Sequence, residues 1–137
     1  MSAYTTACAA YFDSVGLKYH QHDERALSAS WNADNVPNGI RVLMLFDKDG
    51  DNNLRFVVSN IVTVPQDRLG AVILACNKLN SRFRFAKFYI EDNNELFIDG
   101  DAIVSMDNVG EVCREMCNRM VDIVDKGYPD IMRAIYA

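Results

Sequence analysis

Chemically reactive groups are scarce in this sequence. Its only imidazole side chains are His20 and His22, two positions apart, so a nucleophile with a histidine base would have to be assembled at one short segment. Neither a G-x-G-x-x-G motif nor a phosphate-binding loop is present, and the seven glycines are scattered among expected turns and helix ends. These absences predict a protein that is not an enzyme, with no catalytic residues, no bound metal and no cofactor.

Positive charge and long apolar runs are scarce as well. The sequence contains 14 Lys and Arg and 19 Asp and Glu, which gives a net charge of −5. Nucleic-acid binding needs clustered basic residues. No apolar run approaches the ~20 residues that cross a bilayer, and the N-terminal residues lack the basic and apolar parts of a signal peptide. We therefore expect a soluble, cytoplasmic protein that binds neither nucleic acid nor membrane.

The four cysteines are expected to be reduced and buried, because the sequence carries no secretion signal. Cys113 and Cys117 lie four positions apart on one face of an expected helix. Without a second pair of ligands, this spacing is weak evidence for zinc. Cys8 and Cys76 are likewise assigned to the core.

The 137 residues, half of them apolar, suit one folded domain over residues 1–137. Helical spacing of apolar residues predicts a first helix over 2–15 that ends at Gly16. The polar stretch over 17–31 predicts one edge strand.

Alternating apolar residues predict two hairpins. In the first, over 40–46 and 54–64, burial of one face fixes the register, because a shift by one residue would turn the whole apolar set to solvent. The second, over 85–90 and 95–99, turns at 92–94 with Asn94 in the left-handed region. The predicted cross-strand pairs are Phe46–Leu54, Met44–Phe56 and Val42–Val58, then Ile90–Leu96, Phe88–Ile98, Lys87–Asp99 and Tyr89–Phe97.

Two further helices are predicted. The first spans 65–79, because proline suits the opening turn of a helix and an apolar stripe follows it. The last begins at Asn108 with Glu111 in a capping-box position and stops at Gly127, after which Pro129 starts a short turn. The predicted stripe of the earlier helix comprises Leu69, Val72, Ile73, Cys76 and Leu79.

The order α-β-β-β-α-β-β-α predicts an α+β domain, an antiparallel sheet of about five strands flanked by helices. If the two hairpins share that sheet, its outer face carries an apolar patch. Monomers seldom leave patches of more than a few hundred Å² uncovered, so these residues are predicted to bind a partner. They are Leu43, Leu45, Val57, Tyr89 and Phe97.

Asn77 and Asn80, at the end of the second helix, have two interpretations. Their amides could anchor a bound ligand. Alternatively, Asn80 caps the helix and Asn77 binds backbone groups of the following loop.

Two segments have the spacing of cation ligands. His20, His22 and Glu24 alternate, which suits a metal but equally suits a charged edge strand that discourages pairing. The acidic run 47–53 looks like a calcium loop, yet Asn52 stands where such a loop needs glycine. A hairpin turn is favoured for the acidic run.

The order of elements and several segments resemble the YbjN-type family, bacterial sensory transduction regulators whose fold is similar to that of type III secretion chaperones. The likeness starts near Leu17 and is strongest after Pro65, while residues 20–38 depart from it. It implies frequent dimers and binding rather than catalysis, and it supplies no catalytic residues. The matching segments are Val64-Pro65, Asn77-Lys78-Leu79-Asn80, Phe85 to Ile90 with its returning strand, and Tyr128-Pro129-Asp130-Ile131-Met132.

Two functions are therefore expected. The first is a chaperone-like regulatory module that binds a protein partner, or itself as a homodimer, through the outer sheet face. The alternative is a small-ligand sensor with a pocket between sheet and helices, in which Asn77 and Asn80 are the polar anchors.

Overall fold

One six-stranded antiparallel sheet with three helices forms this computed structural model, which describes residues 2–48 and 51–137. In chain order the elements are α1 (Ala3–Val15), β1 (His20–Asp23), β2 (Ala26–Trp31), β3 (Ile40–Phe46), β4 (Asn53–Val58), a 3₁₀ turn (Gln66–Arg68), α2 (Leu69–Arg82), β5 (Lys87–Ile90), β6 (Leu96–Ile103) and α3 (Val109–Tyr136). Across the sheet the strands run β1-β2-β3-β4-β6-β5. The α+β prediction is confirmed, with one strand more than expected.

The helices lie together on one face of the sheet. The long helix α3 packs on β3, β4 and β6, α1 packs on α3, and α2 packs on α3 and β5. Inward-facing Val42, Met44 and Phe56 are fully buried between these layers. Within the part of the chain that the structure describes, no helix covers the outer face.

Both predicted hairpins form in the predicted register. Phe46 pairs with Leu54 and Met44 with Phe56, but the pairing stops at Leu43–Val57, one position before the predicted pair Val42–Val58. β4 ends at Val58 rather than near residue 64. All four pairs of the second hairpin are present, and Asn94 has the expected positive φ of 65°. β5 begins at Lys87, two residues later than predicted. Because β4 pairs with β6, the two hairpins share one sheet.

The region over 17–31 was predicted as one edge strand and forms two. β1 is exposed along its whole length, whereas β2 begins with four buried residues, 26–29. Neither strand alternates between buried and exposed residues. The residues of β1 are polar on both faces, and β2 is rich in small residues that are buried on both faces. A period of two was therefore absent from the sequence here.

The start of α1 was predicted to within one residue, whereas α2 begins four residues later and ends three residues later than the predicted span 65–79, and one residue of its predicted stripe is wrong. The Ser2 hydroxyl accepts a hydrogen bond from the Thr5 N–H at 3.1 Å and caps α1. Pro65 precedes the 3₁₀ turn, and α2 continues to Arg82. Ile73, placed in the buried stripe of α2, is instead 56% exposed, because the buried face of α2 is narrower than predicted and comprises Val72, Cys76 and Leu79.

The predicted stop of α3 at Gly127 is wrong. The helix runs through Gly127 and Pro129 to Tyr136. A Cβ at Gly127 would lie 3.2 Å from the side chains of Leu79 and Phe88, so this glycine makes room for close packing rather than ending the helix. Burial of the following apolar positions, including Ile131, keeps the chain helical.

Pro129 leaves one helical acceptor free, because proline has no N–H to donate to the carbonyl four residues earlier. That carbonyl belongs to Asp125, and it accepts a hydrogen bond from the Asn35 side chain at 3.0 Å. The Asp125 carboxylate also accepts from the Asn35 backbone N–H at 2.7 Å. The β2–β3 loop is thus bound to the helix where the helix lacks its own bond.

The helix start at Asn108 is confirmed, but the capping box is not formed. The Asn108 side chain accepts a hydrogen bond from the Ser105 N–H at 2.8 Å, not from a helical N–H. It therefore stabilises the turn before α3.

Candidate functional site

The five predicted partner-binding residues share the outer face of the sheet. Leu43 pairs directly with Val57, and Leu45 follows on the same strand. Tyr89 pairs with Phe97, and their rings stack with centroids 5.7 Å apart. Val57 is only 6% exposed, so Leu43 and Leu45 provide most of the accessible surface of this part of the face.

A polar cluster separates the two parts of this face. On the β6 side, the cross-strand partner of Val57 is the charged residue Asp99. The Arg55 guanidinium lies 2.7 Å from Asp99 and donates to the Tyr89 hydroxyl at 2.9 Å. The face therefore consists of a leucine–valine part (Leu43, Leu45, Val57) and an aromatic part (Tyr89, Phe97), interrupted by the Arg55–Asp99 ion pair.

The electrostatics of this cluster follow from the same contacts. Burial of Arg55 opposes its charge, but the hydrogen bond and attraction of Asp99 outweigh burial and raise the pKa of Arg55. Burial, and next the negative charge of Asp99, raise the pKa of Tyr89. At neutral pH the cluster thus holds a cation, an anion and a neutral phenol that satisfy one another.

Asn80 binds the backbone of its own chain. Its side-chain amide donates to the Phe88 carbonyl at 3.0 Å and accepts from the Phe88 N–H at 2.7 Å. Asn77 is exposed one turn earlier, and its side chain forms no hydrogen bond with any described residue. The structure therefore joins α2 to β5 through Asn80, while ligand binding by the pair stays a prediction.

A cavity that sequence reasoning missed lies between the β2–β3 loop, the end of β4 and α3. Its volume is about 440 Å³, and its polar lining includes Asn60, Arg41 and Tyr128. It does not include Asn77 or Asn80. Pro37, Asn38 and Gly39 line part of this cavity. In the sequence these residues indicate a turn, but nothing local indicates the cavity itself.

The candidate cation ligands are dispersed. His20 and His22 are neighbours, with ring centroids 4.6 Å apart, but His22 is 2.7 Å from the Ser28 hydroxyl and Glu24 lies in the turn after β1. Among the described residues no three His, Cys, Asp or Glu side chains converge as metal ligands. In the acidic run 47–53, residues 49 and 50 lie outside the described part of the chain.

The cysteines are free thiols buried in the core. Burial raises the pKa of Cys76 to about 11 and that of Cys117 far above its usual range. A hydrogen bond with Cys8, together with burial, raises the pKa of Cys113. The reactive form of cysteine is the thiolate, so these three side chains are unsuited to nucleophilic chemistry at neutral pH.

Among the described residues, no helix has both the length and the apolar character required to cross a membrane.

A protein-family model matches most of the chain. The YbjN family model, described as "Putative bacterial sensory transduction regulator", matches residues 7–131. The chain belongs to the YbjN family. The resemblance inferred from the sequence is thereby confirmed, and it extends into α1, ahead of the expected start near Leu17.

Solved structures support the YbjN fold. The crystal structure of YbjN from E. coli is similar with a TM-score of 0.62 at 14% identity, covering 91% of each chain. A chain of the heterodimeric ExoU–SpcU complex, from the type III secretion system of Pseudomonas aeruginosa, is similar with a TM-score of 0.54 at 20% identity, covering 93% of this chain and 96% of that one. No curated protein matches the sequence. At these identities the likeness establishes the fold, which is type III secretion chaperone-like as predicted.

Proposed function

We propose that this YbjN-family chain is a cytoplasmic, non-enzymatic regulatory module that binds a protein chain through the leucine–valine part of its outer sheet face. The observation that carries the proposal is the one-sided architecture. All helices pack on the inner face, while Leu43 and Leu45 remain partly exposed on the other. A second copy of the chain is the proposed occupant, giving a homodimer.

The physical argument rests on apolar area. Burying Leu43, Leu45 and their surroundings in an interface gains about 25 cal/mol per Å² of apolar surface, less the cost of ordering the complex. The neighbouring Arg55–Asp99 pair is already satisfied within the chain and would form part of a polar rim. A chain of similar fold occurs in a heterodimeric protein complex, which supports protein binding as the activity.

The test is the solution mass of the native protein and of Leu45→Asp, measured by light scattering. We expect a native dimer that becomes a folded monomer, because a carboxylate on this face would be buried unpaired in the interface. Leu74→Asp is the matched control, since Leu74 is 57% exposed on α2 and should leave the dimer intact.

A native monomer, or a dimer lost in Leu74→Asp and kept in Leu45→Asp, would contradict self-association through the outer face. In the first case the proposal fails for a second copy, and in the second case the interface is on α2.

The cavity near Tyr128 favours a second candidate, a small-ligand sensor. Its volume of about 440 Å³ is within the usual range for ligand sites. A ligand at about 100 times its Kd adds ~2.7 kcal/mol to stability, which a thermal-shift screen of metabolites detects. Loss of the shift in Arg41→Ala, but not in Asn77→Ala, would assign the ligand to this cavity.

A further inference from the structure

The connection between α2 and β5 places a second group of arginine and aromatic side chains at one corner of the molecule. An open cleft of about 280 Å³, here called the corner cleft, is lined by seven residues: Arg82, Phe83, Arg84, Phe85, Arg119, Asp122 and Ile123. Phe85 is 51% exposed at its centre. Aromatic residues and arginine are the residue types that are enriched at protein–protein interfaces.

The connection is held rigidly at both ends. Asn80 binds the backbone of Phe88 through both polar atoms of its amide. The Lys87 ammonium donates to the carbonyls of Asn80 and Phe83, each at 2.7 Å. These bonds fix the backbone of the segment that carries both Phe rings, and the fixed backbone keeps the Phe85 ring exposed.

Phe85 also has a strained backbone, with a φ of 76°. Positive φ is a genuine outlier for a bulky residue and persists only where the surroundings enforce it. Its carbonyl lies so close to Gly100 that a Cβ there would be 2.3 Å from the oxygen. The fold thus maintains an unfavourable conformation that presents the ring to solvent.

The cleft holds three arginines and one carboxylate, Asp122, which pairs with Lys126 at 3.1 Å. The Arg82 guanidinium lies 4.9 Å from the Phe83 ring centre, and Arg119 lies 4.5 Å from that of Phe85. Among the described residues no carboxylate pairs with Arg82 or Arg84, whereas Arg119 pairs with exposed Glu115 at 2.8 Å. The cleft is therefore a cationic, aromatic surface on a chain of net charge −5.

We propose that the corner cleft binds an acidic segment of a partner polypeptide in which carboxylates alternate with apolar side chains. Guanidinium groups pair bidentately with carboxylates, and Phe83 and Phe85 supply the apolar floor between them. The cleft is open rather than enclosed, which suits an extended peptide, and the net negative charge of the chain disfavours nucleic acid. This site is separate from the outer sheet face and does not depend on it.

The test uses fluorescence anisotropy with a short labelled peptide in which Glu alternates with Phe. We expect binding that weakens with added salt, because the contacts are charged. The variant Arg82→Glu with Arg84→Glu should weaken it by about tenfold or more, as expected for lost charge-assisted hydrogen bonds. Lys18→Glu with Arg25→Glu, at exposed positions just before and just after β1 on the far edge of the sheet, makes the same change in charge and should bind normally.

A second variant tests the contribution of the aromatic rings separately from that of the charges. Phe85→Gly removes the ring and relieves the positive φ, so it should remain folded and bind the peptide more weakly. Retained affinity in both variants would overturn the proposal, as would equal binding of a peptide with Lys in place of Glu. Binding of inorganic polyphosphate but not of the acidic peptide would also overturn it. Leu45→Asp should keep peptide binding, so failure of the outer-face proposal is distinguishable from failure here.

Discussion

Arginine meets aromatic rings at two places in this molecule, and the two places differ in what surrounds the charge. On the outer sheet face, Arg55 contacts both Asp99 and Tyr89. In the corner cleft, Arg82 and Arg119 lie over Phe rings, and only Arg119 of the two pairs with a carboxylate among the described residues, that of exposed Glu115. The same residue types therefore form a self-satisfied cluster in one region and the proposed binding cleft in the other.

The difference lies in the register of the strands. Cross-strand pairing places Arg55 and Tyr89 within reach of Asp99. The corner cleft is on an irregular connection, where no strand supplies an acidic neighbour. A charge on a regular sheet surface tends to find a partner, because opposite charges across strands are stabilising. A charge on a rigid connection can remain available to a ligand.

The largest expected effect concerns the glycine that shapes the corner cleft. Gly100→Ala should destabilise the protein by about 1 to 3 kcal/mol, because its Cβ would lie 2.3 Å from the Phe85 carbonyl. Urea unfolding followed by circular dichroism measures the change.

The matched control is Gly70→Ala, the same substitution in α2, where a Cβ meets no atom within 4 Å. It should stabilise by about 0.5 kcal/mol, since alanine restricts the unfolded chain. Equal effects of the two substitutions would show that the Phe85–Gly100 contact is not tight.

A smaller effect is expected from the amide that holds the corner connection. Asn80→Ala should cost about 1 to 2 kcal/mol, because the Phe88 N–H and carbonyl lose their partner in a partly buried position. Asn77→Ala, one turn earlier and exposed, should change the free energy of unfolding by less than about 0.5 kcal/mol. A comparable loss in both variants would mean that helix propensity, not the bond to β5, determines the effect.

The smallest effect is expected for the self-satisfied cluster. Asp99→Asn should change stability by at most about 1 kcal/mol, because the side chains of Arg55 and Asp99 are 46% and 28% exposed. It should also lower the pKa of Tyr89, since burial and then the Asp99 charge raise that pKa. Alkaline titration of tyrosinate absorbance, with Tyr89→Phe to assign the signal, measures the shift.

The sign of the pH effect follows from the raised pKa. A phenol that ionises later in the folded protein stabilises the fold below the ordinary tyrosine pKa of about 10. That contribution is lost as pH rises through the folded-state pKa. The Asp99→Asn protein should therefore lose less stability above pH ~10 than the native protein, and a greater loss would refute the assigned role of Asp99.

The hairpins show how far the sequence predicts the fold. In the β5–β6 hairpin, strict alternation and a turn ending at Asn94 gave every cross-strand pair. In the β1–β2 hairpin, exposure of all four β1 residues and burial of both faces of β2 removed the alternation. Periodicity predicts a strand only when exactly one of its faces is buried.

Residues whose role depends on distant partners could not be predicted. Glycine often ends a helix, but Gly127 lies within α3 and leaves space for the side chains of Leu79 and Phe88. Arg82 to Phe85 alternate like the start of a strand, and nothing local indicates the positive φ of Phe85. The outer-face residues were placed on one face correctly, whereas the interruption at Asp99 depends on the pairing of β4 with β6.

The bond between Asp125 and Asn35 has a consequence for how the chain opens. It joins residues 90 positions apart, at the one place where Pro129 prevents α3 from completing its own ladder. Releasing the β2–β3 loop would leave a helical carbonyl without a partner, and fraying the C-terminal part of α3 would release the loop. The β2–β3 loop and the C-terminal part of α3 therefore belong to one cooperative unit of local unfolding.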